Sequence, residues 1–192
     1  MSSKPISRLP VPAENELPAD VQELFAQNRA RPGFVPNVFQ AYSLRPAALR
    51  GFIALYDALM AEESGLSKAE REMIAVAVSA ENHCHYCLVS HGAALRVRSK
   101  NAQLADTVAA NYRAADITPR QRAMLDYAVK LTHASATIGP ADLDELRAHG
   151  FSDADIFDIT QVAAFFNYSN RVASALGMQP NDEFYGMARG KA

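Results

Sequence analysis

The chain has 192 residues, 49% of them hydrophobic and 21% charged. This is a globular balance, and the length suits one domain or two small halves sharing a core. The formal net charge of −2, with no long Lys/Arg run, excludes a basic nucleic-acid binder, and the lack of any apolar run of about 18 residues excludes a transmembrane helix.

The opening segment, MSSKPISRLPVPAENELP, has no apolar stretch of the secretory kind. The two cysteines, Cys84 and Cys87, are too few and too close for a disulfide scaffold. Together these features predict a cytoplasmic chain carrying a redox pair or half a metal site. Seven of the ten prolines fall in residues 1–46. Residues 1–18 read as an extended arm, because proline fixes φ and lacks the helix donor. Such an arm lies along its own domain or across a partner subunit. Residues 19–192 read as a single helical domain.

Thirty-five alanines, about 18% of the chain, favour helices that pack closely. Strand-like alternation is nowhere sustained, and the predicted class is all-α. In chain order, a first helix covers about 19–30 and ends before Arg31-Pro32-Gly33. A short helix or turn follows Pro36. A long helix begins near Pro46, a residue suited to a first helical position, and carries Leu49, Phe52, Ile53, Tyr56, Leu59 and Met60 at helical spacing. The next helix opens with the capping box Ser67-Lys68-Ala69-Glu70 and runs to about Glu81. Asn82-His83 breaks the pattern. Further helices are predicted over about 84–98, 102–113, 118–133, 141–149 and 153–176, with a short one after Pro180.

The segment from Leu66 to Ile74 resembles the segment from Ile117 to Leu125 at an offset of 51 residues. Each has an apolar residue, a hydroxyl cap, and an acid or amide at the third helical position. Two similar helical units sharing one core account for the length. Glu72 corresponds to Ala123 and the second copy has no cysteine, so the chemistry belongs to the first copy.

The chemically informative stretch is Glu72…Cys84-His85-Tyr86-Cys87…His91. At about 100° per residue, positions 84, 87 and 91 share a face about 60° wide. Folding the two helices into a hairpin about Asn82-His83 puts Glu72 about 15 Å from the bend and His91 about 12 Å from it, level within one turn. If both face the seam, Glu72 can bond His91 directly or through water, and His91 can take a proton from Cys87. This is a nucleophile, a base and an orienting acid in order. A free thiol with a pKa near 8.5 is only about 3% thiolate at pH 7; a helix N-terminus and a nearby imidazole both raise that fraction. Attack on a peroxide oxygen leaves a sulfenic acid, with which the second cysteine condenses. The dipole argument favours Cys84 as nucleophile and the His91 contact favours Cys87. Cys87 is preferred, since a hydrogen-bonding base acts on one proton whereas the dipole acts on both thiols.

The pattern E-x11-C-x2-C-x3-H resembles that of the alkyl hydroperoxidase D (AhpD)-like and carboxymuconolactone decarboxylase superfamily. The flanks are closest to its peroxidase-related branch. The supporting segments are GFVPNVF at 33–39, the stretch 65–96 and FFNYSNRVASALG at 165–177, about a quarter of the chain. The resemblance implies an AhpD-like all-helical fold, a homo-oligomer (trimer or hexamer) and a thiol peroxidase. That enzyme would reduce hydrogen peroxide or organic hydroperoxides without a metal or bound organic cofactor. An external dithiol, a lipoyl group or a thioredoxin-like protein, would regenerate it. By motif position Cys87 is peroxidatic, Cys84 resolving, His91 the base and Glu72 the relay acid. The hydroperoxidase pattern has a histidine immediately before the second cysteine. Here Tyr86 stands there and His85 lies one residue earlier.

Two rival readings remain open. In one, the chain is a metal-binding or structural helical protein in which Cys84, Cys87 and His91 bind zinc with His83, His85 or Glu72 as fourth ligand. In the other, His91 and Glu72 serve a lactone decarboxylase or isomerase as acid and base. Asn167, Asn170 and Arg171 form one polar stripe on an apolar helix; they read as a buried network joining helices or subunits, or as a border of the site. His133 and His149 read as helix C-terminal residues without a chemical role.

Overall fold

The structure, a computed structural model, describes residues 5–190. Residues 1–4 of the predicted arm and 191–192 of the predicted domain lie outside that range. Among the described residues there are ten α-helices and no strand. They are α1 (Ala19–Ala30), α2 (Asn37–Tyr42), α3 (Pro46–Met60), α4 (Lys68–Glu81) and α5 (His85–Ser99), then α6 (Ala102–Asn111), α7 (Pro119–Ala134), α8 (Pro140–Ala148), α9 (Asp153–Leu176) and α10 (Glu183–Gly186). The all-α expectation holds. The sixth predicted helix is two residues shorter, because the chain tightens into a 3-10 turn at Tyr112–Ala114 after the Asn111 side chain accepts the Arg113 N–H.

The middle of the molecule is α4. Every residue from Glu70 to Ser79 is buried, and the helix is enclosed by α5, α6, α7 and α9. A helix packed on all sides must be apolar all round or must pair its polar groups. The run Met73–Val78 satisfies the first condition, with no residue more than 1% exposed. The polar residues at its ends mostly satisfy the second. Glu70 accepts from Arg120 at 2.7 Å and caps the helix through Ser67. Glu72 pairs with His91, and Ser79 Oγ accepts from Asn170. Arg71 is the exception, since its buried Nε and Nη1 have no partner among the described residues. Its counterpart at the 51-residue offset, Arg122, donates to the carbonyls of Tyr112 and Ala115.

Both copies of the sequence repeat open with a capping box. Ser67 accepts from the Glu70 N–H and Thr118 from the Gln121 N–H. The two helices they start, α4 and α7, pack together. The described part of the arm lies along its own domain. Arg8 N–H donates to Leu176 O at 2.8 Å and Gln179 N–H to Ile6 O at 3.0 Å. The Arg8 side chain crosses Gly177, which ends α9 in the left-handed conformation at φ +60. A Cβ there would sit 2.7 Å from Arg8 Nε, so glycine answers both the turn and the close approach.

Candidate active site

The turn between α4 and α5 sets the register of the site. Asn82 caps α4 by donating to Val78 O, and His83 reverses the chain in the left-handed region at φ 50. The Cys84 N–H donates to Ser79 O at 3.0 Å, and Cys84 becomes the N-cap of α5. Returning antiparallel, α5 brings His91 level with Glu72, and His91 Nδ1 lies 2.8 Å from Glu72 Oε2. Both side chains are largely buried, at 13% and 7% exposure. A carboxylate can only accept, so Nδ1 carries a proton and donates. Nε2 is then the ring nitrogen left to gain or lose a proton. Phe166 meets the imidazole edge-on, with centroids 4.5 Å apart. It leaves the ring little freedom to turn.

Both cysteines are buried and reduced. The two thiols behave as one titrating unit. Cys84 is brought down to about 6, chiefly by the Cys87 thiol aimed at its sulfur. Burial opposes this; the Cys87 main-chain N–H, the Ser174 hydroxyl and the charge of His91 assist it. That N–H faces the sulfur without closing a capping hydrogen bond. Cys87 is displaced the other way, well above the ordinary thiol, by the Cys84 sulfur and then by burial. Ser169 and Asn170 partly offset this. The pair therefore retains one proton on Cys87 and the negative charge on Cys84, at the N-terminus of α5, where the helix dipole favours an anion.

The expected direct bond between His91 and the Cys87 thiol is not the contact formed. Cys87 Sγ instead meets Ser169 Oγ at 3.9 Å. What His91 and Cys87 share is a cavity of about 200 Å³, with Ser90 and Ser169 beside them. Its other walls are apolar or aromatic and include Val38, Phe39, Phe52, Tyr56, Phe165 and Phe184. Among the described residues, no Lys, Arg, Asp or Glu lines it. Burial, with the nearby Glu72 carboxylate, pushes the Tyr56 phenol far up, so it remains a hydrogen-bond donor. The Tyr86 hydroxyl accepts the Val38 N–H at 3.1 Å, which fixes this ring as one wall.

The polar stripe on α9 forms a network behind the dithiol. Asn82 Nδ2 donates to Asn167 Oδ1 and Asn170 Oδ1, each at 3.0 Å. Asn170 Nδ2 donates to Ser79 Oγ at 3.0 Å and faces the Cys87 sulfur. Asn167 Nδ2 donates to Thr132 Oγ1 at 3.0 Å, and Arg171 Nη1 donates to Asn167 Oδ1 at 2.8 Å. The stripe thus both joins helices α4, α7 and α9 and borders the site.

Ser169 and Ser174 were not singled out from sequence. The available signal was position, since Ser169 precedes Asn170 and Ser174 lies one turn beyond it. His85 Nε2 lies 3.0 Å from the Tyr185 hydroxyl, and the residue lines a cavity with Cys84. No three His, Cys, Asp or Glu side chains among the described residues converge as a metal site. His133 and His149 pair with the nearby acids Glu81 and Glu145.

A buried carboxylate–imidazole pair beside a dithiol, on a helical hairpin at the centre of an all-α domain, defines the class of protein. Residues 46–130 match the model of the carboxymuconolactone decarboxylase family. A peroxidase-related protein of Ralstonia eutropha JMP134 with an alkylhydroperoxidase AhpD core, itself uncharacterised, superposes with a TM-score of 0.96 at 51% identity, covering 99% of this chain and 100% of that one. An uncharacterised peroxidase-related protein of Silicibacter sp. TM1040 gives 0.94 at 49% identity, covering 98% and 99%. The debrominase Bmp8, solved as a cysteine-to-alanine variant in complex with 2,3,4-tribromopyrrole, shares the fold at a TM-score of 0.77 and 17% identity, covering 97% and 96%. No curated protein matches the sequence significantly. The chain belongs to the AhpD-like, carboxymuconolactone decarboxylase superfamily.

Proposed function

We propose that the protein is a thiol peroxidase that reduces hydrogen peroxide or small neutral organic hydroperoxides through Cys87 and Cys84. The observation that carries this reading is the Glu72–His91 pair, closed at 2.8 Å, on the cavity that Cys87 lines. As peroxide enters, the shared proton passes from Cys87 to Cys84, and the Cys87 sulfur attacks the terminal peroxide oxygen. The O–O bond breaks, and the departing alkoxide takes a proton from the His91 imidazolium, leaving Cys87 as a sulfenic acid. Cys84 then gives its proton to neutral His91 and attacks the Cys87 sulfur. The expelled hydroxide takes that proton and leaves as water. Two thiols and one hydroperoxide become one disulfide, one alcohol and one water. Glu72 holds the imidazole in orientation throughout and stabilises its charged form.

The uncharged, aromatic wall favours a neutral substrate. A lactone acid would bring a carboxylate into a cavity where, among the described lining residues, His91 alone can carry positive charge and is already paired with Glu72, which argues against the decarboxylase reading. For zinc, Glu72 is committed to His91 and His85 to Tyr185, which occupies two of the candidate fourth ligands. The test is turnover of cumene hydroperoxide and hydrogen peroxide with dithiothreitol as reductant. The proposal expects activity that is lost in Cys87→Ser and in Cys84→Ser. Equal turnover by the Cys87→Ser protein would end it.

A further inference from the structure

The dithiol stands between two separate cavities. Cys87 lines the apolar one with His91. Cys84 lines a second cavity of about 220 Å³ with His83, His85, Ser174 and Gln179. Of the residues lining the two, only Tyr86 is common to both. It stands as the partition, held by the Val38 N–H. The second cavity mixes polar groups with Ala173 and Met178, and it shares His85 and Gln179 with a wider polar cleft of about 490 Å³ bordered by Asp182 and Glu183. Ser174 is exposed while its hydroxyl faces the Cys84 sulfur. Cys84 is therefore one small side chain away from solvent on this side.

Resting on the peroxidase reading, we infer that oxidant and reductant reach the disulfide from opposite sides: an external dithiol enters through the polar cavity and attacks Cys84, leaving the apolar cavity to the peroxide. The donor thiolate forms a bond to Cys84 Sγ as the Cys84–Cys87 bond breaks, and Cys87 departs with the electron pair. The donor's second thiol, as thiolate, then attacks its own sulfur in the mixed disulfide. It releases Cys84 as thiolate and forms the donor's disulfide. Two electrons pass from the dithiol to the protein, and the donor's two protons restore the pair and its imidazole.

Leaving-group chemistry permits this direction. In the reduced pair Cys87 is the poorer thiolate because the Cys84 sulfur faces it. In the mixed disulfide Cys84 carries no charge, so that opposition is gone and burial alone still resists the charge. Ser169 and Asn170 remain to receive the departing anion, with His91 across the cavity. The cavity's size admits a slender dithiol arm and not a folded domain, so a lipoyl-type arm fits and a protein thiol must extend one.

The test forms the disulfide with diamide, so that it does not depend on peroxide activity. The oxidised protein is mixed with limiting 2-mercaptoethanol, quenched in acid, alkylated, and sequenced by fragmentation mass spectrometry. The expected adduct is on Cys84, in about tenfold excess or more over Cys87. An adduct on Cys87, or equal amounts on both, overturns the inference.

Two kinetic measurements support or oppose it independently. Saturating cumyl alcohol should slow oxidation by cumene hydroperoxide while leaving the rate of reduction by dithiothreitol unchanged; slowing of both steps overturns the inference. Ser174→Trp fills the polar cavity from an exposed position and should slow that reduction by about tenfold or more; an unchanged rate in the folded variant overturns it. Loss of peroxide turnover with the Cys84 adduct intact would fault the peroxidase reading alone.

Discussion

Replacing Cys87 with alanine tests the electrostatics of the dithiol. The Cys87 thiol is the largest cause holding Cys84 at about 6. At that value roughly nine-tenths of Cys84 is thiolate at pH 7, against about 3% for an ordinary thiol near 8.5. In Cys87→Ala the S–H donor is gone and burial still opposes the charge. The Cys87 main-chain N–H, the Ser174 hydroxyl and His91 still favour it. The midpoint should rise by at least about one unit, toward the ordinary thiol value of about 8.5. The sign is that of an acid with a depressed pKa: thiolate is present above the midpoint and lost as pH falls through it. Cys84 alone would make the fold more stable above its unfolded-state pKa, with that gain lost as pH falls through about 6. Cys87 is displaced upward and has the opposite effect. The titration is therefore read by thiolate ultraviolet absorbance of the reduced protein, with a Cys84→Ala/Cys87→Ala control, and not by melting. A wild-type midpoint near 9, or a variant midpoint still near 6, would refute the shared-proton arrangement.

Other substitutions test the surroundings. Glu72→Gln retains a hydrogen-bond acceptor for His91 but removes the charge, and should lower peroxide turnover by about a hundredfold with melting little changed. Asn170 is 1% exposed and joins Asn82, Ser79 and the Cys87 sulfur. Asn170→Ala should cost about 1–3 kcal/mol in denaturant unfolding, since Asn82 and Ser79 lose a buried partner. Phe166→Ala should cost about 3–5 kcal/mol by the same measurement, because the ring is fully buried and braces His91; turnover should fall further than stability alone explains.

Much of this was legible in the sequence because local rules and tertiary packing agree. The capping boxes at Ser67 and Thr118 and the proline at 46 mark helix starts that the fold keeps. The register of Glu72 against His91 followed from counting along two helices about one bend, and it closes at 2.8 Å. Spacing could not place the proton. Cys87 and His91 share a helix face, yet the titration of the thiols depends on Ser174 and Asn170, which come from α9, about 85 residues away in sequence. The second cavity was hidden for the same reason, since the α9 terminus and the segment after it build its walls. Cys84 and Cys87 face different cavities although they lie three positions apart.

The most direct measurement of the central claim is a thiol count before and after one equivalent of hydroperoxide. The chain has two cysteines, and the account predicts that both thiols disappear together and both return on adding dithiothreitol. Glu72→Gln should slow the loss without changing its extent. Two thiols still free after the peroxide has had time to react, or loss of only one, would contradict it.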